Sequence, residues 1–171
     1  MEPKRISHST CHMSHVMLPM DANPAGLVHG GVVMKHIDNA AGIVAMRHSQ
    51  TVCVTASIDR LDFHNPVFVG NLLTVRASIN LVGKTSMEIG VRVENEDVLT
   101  REIKHTASAY LTFVALGNDF KPIQKELPGL LLETRDEKRR NSEAKERRRH
   151  RLSEKKREKA CQTDAHQCNI E

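Results

Sequence analysis

The segment Leu27-Val28-His29-Gly30-Gly31-Val32-Val33-Met34-Lys35-His36-Ile37-Asp38-Asn39-Ala40-Ala41-Gly42-Ile43-Val44-Ala45-Met46 reads as an apolar helix that opens on two glycines and carries one carboxylate near its middle. Val33, Ile37, Ala40, Ala41 and Val44 fall on one side and Val32 and Ile43 on the other, the pattern of a buried helix. An ionised carboxylate buried without a partner is costly, so Asp38 is either bonded to a neighbouring strand or kept for chemistry. At 100° per residue Gly31, Gly42 and Ala45 share the face of Asp38 and leave room beside it. The Gly30-Gly31 end offers backbone N–H groups and the positive end of a helix dipole, a setting that suits a polarised carbonyl oxygen.

Gly31 and Asp38 lie seven residues apart, roughly 10 Å along one helix axis. One helix therefore cannot bring both to a single reacting carbon. The simplest arrangement that uses both is a two-fold homodimer, with the helix N-terminus from one copy and Asp38 from the other. The glycine face is then expected to be a subunit contact.

Downstream, period-two alternation replaces the helical period. Val52, Val54, Ala56 and Ile58 alternate with polar residues, the apolar phase flips to Leu61 and Phe63, and a bulge near Asp59-Arg60 accounts for the flip. Leu73 to Leu81 and Met87 to Val93 alternate in the same way, a polar turn is expected at Glu94-Asn95-Glu96-Asp97, and Ile103 to Leu116 reads as a central strand. With a first strand near Ser14–Leu18, the pattern predicts an α+β fold in which a four-strand antiparallel meander wraps one long buried helix.

Composition narrows the class. The 171 residues carry a net charge of +4, with 39% hydrophobic and 3% aromatic residues, as in a soluble one-domain chain. No apolar leader and no uninterrupted apolar helix is evident, so a cytoplasmic protein without a membrane partner is expected. Cys11, Cys53, Cys161 and Cys168 show no framework spacing, and no disulfide is expected. The clusters His8, Cys11, His12, His15 and Cys161, His166, Cys168 fit no common zinc spacing, so no metal is expected. Ser57 lacks a glycine-flanked elbow and Cys53 lacks a base, which argues against either as a nucleophile.

Charge is uneven. Residues 1–132 balance at 12 Lys/Arg against 12 Asp/Glu, whereas residues 133–160 hold 13 against 7. The chain divides accordingly into a domain over residues 1–125 and a charged, basic tail over 126–171, expected to be a frayed exposed helix or disordered. Interspersed acids and the lack of aromatic residues argue against nucleic acid as its partner.

Further residues stand in order along the chain: Pro19, Asp21, Asn23, Gly26, His29-Gly30-Gly31, Ile37-Asp38 and Arg47-His48, then Val54-Thr55-Ala56-Ser57, Phe63-His64-Asn65-Pro66, Gly83-Lys84-Thr85-Ser86 and Thr112-Phe113-Val114-Ala115. On these, from about residue 8 to residue 120, the chain resembles the acyl-CoA thioesterases of the hotdog fold, in the group of brain-type acyl-CoA hydrolase and its short bacterial relatives. The resemblance implies hydrolysis of fatty acyl-CoA to free acid and coenzyme A. Asp38 would act as general base or as nucleophile forming an anhydride, and Asn23 of the neighbouring copy would hold the carbonyl or the water. It also implies a homodimer, assembled further as a trimer of dimers, with no cofactor beyond the coenzyme A of the substrate.

Asn23 reads equally as a turn residue, and His29 as a site residue or as a cap on backbone groups. The coenzyme A arm and phosphates need hydrogen-bonding and basic groups, for which His64, Asn65, Pro66, Lys84, Thr85 and Ser86 are the candidates, each with an alternative role in its own turn. A hotdog hydratase would need a histidine close to Asp38, and His48 is ten residues away. The remaining alternative is a non-catalytic acyl-CoA-sensing regulator of the same fold.

Overall fold

The helix read from the decisive segment is α1, Gly30–Ser49, and it is the axis of the fold. Val33, Ile37, Ala40, Ala41, Val44 and Ala45 recur at helical spacing and are almost wholly removed from solvent. Gln50 ends the helix in a left-handed conformation, its amide donating to the Met46 carbonyl. The computed structural model describes residues 2–163, with side chains through residue 160.

The strands are β1 (Lys4–Arg5), β2 (Cys11–Val16), β3 (Val52–Phe63), β4 (Leu72–Val82), β5 (Ser86–Asp97), β6 (Glu102–Leu116) and β7 (Leu130–Leu131). Five of them form one antiparallel sheet in the order β2-β4-β5-β6-β3, while β1 and β7 pair in parallel as a separate ribbon. Alternate residues of the sheet face α1: Leu73, Val75, Ala77 and Ile79 of β4, Met87, Ile89, Val91 and Val93 of β5, and Ala107, Ala109, Leu111 and Phe113 of β6. Each large aliphatic side chain so buried contributes about 1.5–3 kcal/mol, enough in sum to bend the sheet around the helix.

Three expectations about the sheet need correction. The meander is limited to β4-β5-β6, because β3 pairs only with β6 and forms an edge, whereas β4 pairs with β2 and β5. Residues 64–71 carry the chain across the end of the sheet, which a tight hairpin could not do. The expected turn at Glu94–Asp97 lies within β5; the reversal follows it, where Asp97 Oδ1 accepts from the Leu99 and Thr100 amides and Arg101 takes a positive φ. The first sheet strand begins at Cys11 rather than near Ser14. The bulge near Asp59-Arg60 is present as a register shift between Ile58 and Arg60, with a second between Thr55 and Ser57.

Past residue 125 the chain stays with the core at first. Leu127 belongs to the buried cluster, and β7 pairs with β1, register Lys4 to Leu130. The charge run, expected to be a frayed exposed helix or disordered, forms α2, Arg135–Thr163. It is docked rather than fully solvated, on the sheet face opposite α1. Ala144 is fully buried, Asn141 Nδ2 donates to the Asn80 carbonyl at 2.7 Å, and Arg147 pairs with the buried Glu88 at 2.7 Å while its guanidinium lies 3.7 Å over the Tyr110 ring. Arg151 bridges Asp59 and the Thr112 hydroxyl. A search for apolar periodicity misses this contact because arginines and small residues make it. The candidate cluster Cys161, His166 and Cys168 falls outside the described side chains, and among the described residues no three metal-ligating side chains converge.

His48, in the last turn of α1, is fully buried and shares a 2.7 Å hydrogen bond through Nε2 with the Pro128 carbonyl. Burial holds its pKa below the ordinary histidine value, the nearby Lys4 adding to the effect. The neutral ring is therefore the folded form. Its contribution to stability is complete above about pH 6.5 and declines as pH falls toward the depressed folded value, by up to about 1.4 kcal/mol per pH unit. Thermal unfolding of the parent against His48→Gln from pH 8 to pH 5 should show the parent losing more stability on acidification; parallel curves would contradict this account.

Candidate active site

Asp38 is half-buried on α1 and is bonded to a neighbouring strand: the Thr55 hydroxyl of β3 donates to its Oδ1 at 2.5 Å. It is thus neither isolated nor deeply buried, and the bond to a neighbouring strand, one of the two readings of the sequence, is present. Its second oxygen is free to accept from a water or a substrate. The glycine face is corrected as well. A Cβ on Gly42 would stand 3.5 Å from the Phe113 ring and Ala45 is fully buried, so this part of the face packs on the chain's own sheet.

At the other end of the seam between α1 and β3, Gly30 lies against Phe63, whose ring would be 3.7 Å from a Cβ placed on the glycine. A cavity of about 250 Å³ opens there, lined by Asn23, Gly30, Phe63, His64, Asn65 and Pro66 together with core aliphatics. Five residues read as site candidates in the sequence thus meet in one concavity. The Asn23 Oδ1 accepts from the Ala25 and Leu27 amides at 2.9 and 3.2 Å, so the turn role is real. That bond pattern leaves the Nδ2 protons as the group the side chain offers, which makes it a donor. Asn65 Nδ2 is committed to the His105 carbonyl at 2.8 Å and anchors its turn to β6.

The two glycine amides are not equivalent. His29 is the N-cap of α1, and its Nδ1 accepts from the Gly31 N–H at 2.9 Å, so that amide is occupied. Gly30, one residue earlier, faces the cavity. Of the two readings of His29 in the sequence, capping is the one observed.

Lys84, Thr85 and Ser86 are not at this cavity. They form the turn between β4 and β5, with Lys84 paired to Glu126 at 3.7 Å on the surface and the Thr85 carbonyl accepting from Ala115. Ser86 is opposite Val114, and Val114 opposite Val54, so this turn is at the Thr55 end of the sheet; Phe63 is opposite Ala107. Val114 and Ala107 are roughly 23 Å apart along β6. Asn23, Gly30 and His64-Asn65-Pro66 thus meet at one end and Asp38 and Thr55 lie together toward the other, while Lys84-Thr85-Ser86 joins neither group, Ser86 lining the groove beside α2 on the outer face of the sheet. Thr55 and Phe63 were not singled out as functional in the sequence. Thr55 sits on the polar phase of the β3 alternation, between Cys53 and Ser57, so the periodicity gives it no signal of its own.

Residues 25–101 match the model of the thioesterase superfamily. The chain is 40% identical over 146 residues to the cytosolic acyl coenzyme A thioester hydrolase of Rattus norvegicus, which covers 84% of this chain and 38% of that protein; it spans less than two fifths of that relative's length. It is 36% identical over 121 residues to YkhA of Bacillus subtilis, described as an uncharacterized acyl-CoA thioester hydrolase, covering 71% of this chain and 69% of YkhA. Among solved structures, the acyl-CoA hydrolase of Staphylococcus aureus in complex with butyryl coenzyme A, coenzyme A and coenzyme A disulfide superposes with a TM-score of 0.84 at 35% identity, covering 92% and 94% of the two chains. An apo-hexameric acyl-CoA thioesterase gives 0.85 at 34%, covering 90% and 97%. Further structures of the Staphylococcus aureus hydrolase carry alanine in place of an asparagine, an aspartate or a threonine. Those three residues are separated along that chain by the same intervals as Asn23, Asp38 and Thr55 along this one.

The cap on Gly31 sets a measurable energy. His29→Ala removes the acceptor of that amide and should cost about 1 kcal/mol of stability, whereas His29→Asn, whose side chain also caps, should lose only a few tenths. Equal thermal unfolding of the alanine variant and the parent would show that the cap contributes nothing.

Proposed function

The chain belongs to the thioesterase superfamily, within its hotdog-fold acyl-CoA hydrolases, and from that premise we propose that it hydrolyses fatty acyl-CoA to free fatty acid and coenzyme A at sites shared by two copies. The observation that carries the shared site is the division of candidate residues between two ends of one chain. The residues of one end that would bind a thioester oxygen have no carboxylate among them. The carboxylate at the other end has no amide donor beside it. A two-fold axis brings the first cluster of one copy to the second cluster of its partner, and reciprocity generates two identical sites.

In this reading the Gly30 N–H and the Asn23 side-chain amide polarise the thioester oxygen, acting on the charge that develops as the carbonyl becomes tetrahedral. Thr55 holds one oxygen of Asp38 and leaves the other to take a proton from the attacking water. Direct attack of the same oxygen on the thioester carbonyl, forming an anhydride that water then opens, is the alternative use of Asp38. Collapse of the adduct expels the coenzyme A thiolate, and the water has supplied the oxygen of the new acid. A thioester is an activated acyl group, so a positioned water, a base and two donors suffice, and the reading includes no metal or further cofactor. The turn at His64-Asn65-Pro66 then flanks the site as a contact for the coenzyme A arm. The dimer is the functional unit, and a trimer of dimers is its fuller assembly.

Two measurements test this. Asp38→Asn keeps the shape of the side chain and removes the base, so thiol release from acyl-CoA should fall by at least about a hundredfold with substrate affinity nearly intact. A variant close to parental turnover removes Asp38 from the mechanism. For the shared site, inactive Asn23→Ala chains mixed with inactive Asp38→Ala chains form heterodimers with one intact and one doubly damaged site. If sites act independently, a random mixture should recover about a quarter of parental activity. Persistent inactivity with heterodimers demonstrated would mean that each site is built within one chain.

A further inference from the structure

Two histidines that the reaction does not use lie face to face between β2 and α1. His15 of β2 stands opposite Leu73 of β4, on the sheet face turned to the helix, and His36 of α1 meets it with ring centroids 4.0 Å apart and planes inclined by 30°. Each ring has one nitrogen sealed from water without a hydrogen-bond partner, Nε2 of His15 and Nδ1 of His36. A neutral imidazole can leave such an atom bare of a proton, whereas an imidazolium carries N–H on both nitrogens and must find an acceptor for each. The stack is thus built for uncharged rings.

The charged and titratable groups around His36 are His15 from β2, Asp21 from the turn Pro19–Asp21 and Lys35 beside it on α1. Burial, and then His15, hold His36 below the ordinary histidine value; Asp21 opposes them and Lys35 adds to them. Asp21 is the anion of this set, and it is already engaged. Its Oδ2 accepts from the Leu18 amide at 2.8 Å and its carbonyl from the His29 amide at 2.8 Å, which ties the turn both to the chain leaving β2 and to the start of α1. Asn23 follows two residues later, its backbone amide donating to the Leu27 carbonyl at 2.7 Å. The carboxylate that would answer a charge on His36 is therefore the one that closes the turn before Asn23.

We propose that the stacked, uncharged His15 and His36 hold the turn that presents Asn23, and that a proton taken up at His36 turns the Asp21 carboxylate away from the Leu18 amide and withdraws Asn23 from the thioester oxygen. The proposal rests on the reading of Asn23 as a donor and adds the pair that keeps it in place. Neither histidine lines the cavity at Gly30, so both act as positioning residues. The direction in pH follows from the burial. The closed turn prevails above about pH 6.5 and is lost as pH falls toward the lowered value of His36.

The test reads turn and activity separately on the full chain. Hydrogen exchange of the segment 17–29, corrected for the pH dependence of intrinsic exchange, is expected to accelerate about tenfold in the parent between pH 8 and pH 5, while the β5 segment 86–97 stays protected. His36→Phe keeps an aromatic ring in the stack and removes its nitrogens, and His36→Gln keeps a polar group that takes up no proton. In both, the segment should hold its pH 8 protection. Over the same range kcat/KM for acyl-CoA, each protein scaled to its own pH 8 value, should fall about tenfold further in the parent than in either variant. Equal exchange profiles in the parent and both variants overturn the proposal, as does an acceleration that reaches β5 equally. Exchange that follows His36 with no difference in the kcat/KM profiles, or with no acyl-CoA hydrolysis at any pH, leaves the hold on the turn standing and rejects Asn23 as the donor of the reaction.

Discussion

Burial of α1 along the concave face of the sheet is the constraint from which the remaining geometry follows. A helix cannot be compressed, so the interval between Gly30 and Asp38 is fixed at about 12 Å by its rise. The sheet adds a second rigid ruler, because β3 bonds Asp38 through Thr55 and touches Gly30 through Phe63. Between them, the two elements hold a donor end and a carboxylate end apart in every copy. No rotamer change in one chain closes that distance.

The outer face of the sheet is organised by a different force. Glu88 and Asp59 point away from α1 and would be ordinary surface carboxylates without α2. With α2 in place Glu88 has a side-chain exposure of 2%, and its ion pair with Arg147 is completed by a second bond from the same guanidinium. Breaking such a pair from one side leaves a buried charge and costs more than the pair contributes in sum. The arginine stems, Ala144 and the planar stacking on Tyr110 provide the packing that leucines provide on the inner face.

Much of this was legible in the residues. Helical spacing of Val33, Ile37, Ala40 and Val44 gave the buried helix, and the phase flip after Ile58 gave the bulge, because both are local periodicities. Strand order was not legible, since alternation says nothing of which strand lies beside β3, and the apolar phase at Val52 and Val54 is exposed on the outer face while Cys53 and Thr55 face α1. The pairing of β3 with β6 joins Val52 to Leu116 across the length of the domain. The cavity at Asn23, Gly30 and His64-Asn65-Pro66 was foreseen as separate motifs and unforeseen as one place. The pairing of Thr55 with Asp38 is not legible because the two are on different elements, and the occupied Gly31 amide is not because a histidine that bends back two residues leaves no periodic trace. The docking of α2 was invisible for a related reason: hydropathy scores an arginine by its charge and ignores its three methylenes.

The strand order also dictates a history for each molecule. Only the two hairpins of β4, β5 and β6 join neighbours in sequence, at Val82 with Met87 and Asp97 with Glu102. Both flanking strands close long loops: Cys11 meets Ala77, and Phe63 meets Ala107. Loop closure of that kind is slow because its entropy is lost before its contacts are gained. The three-strand meander is thus the natural nucleus, and β3, which carries both Thr55 and Phe63, is an outer strand that must find its place on a surface already formed. The contacts of Thr55 with Asp38 and of Phe63 with Gly30 are completed late, when the nascent edge has nothing beside it. A slow step in refolding would coincide with the interval in which that edge is most open to pairing with the wrong chain.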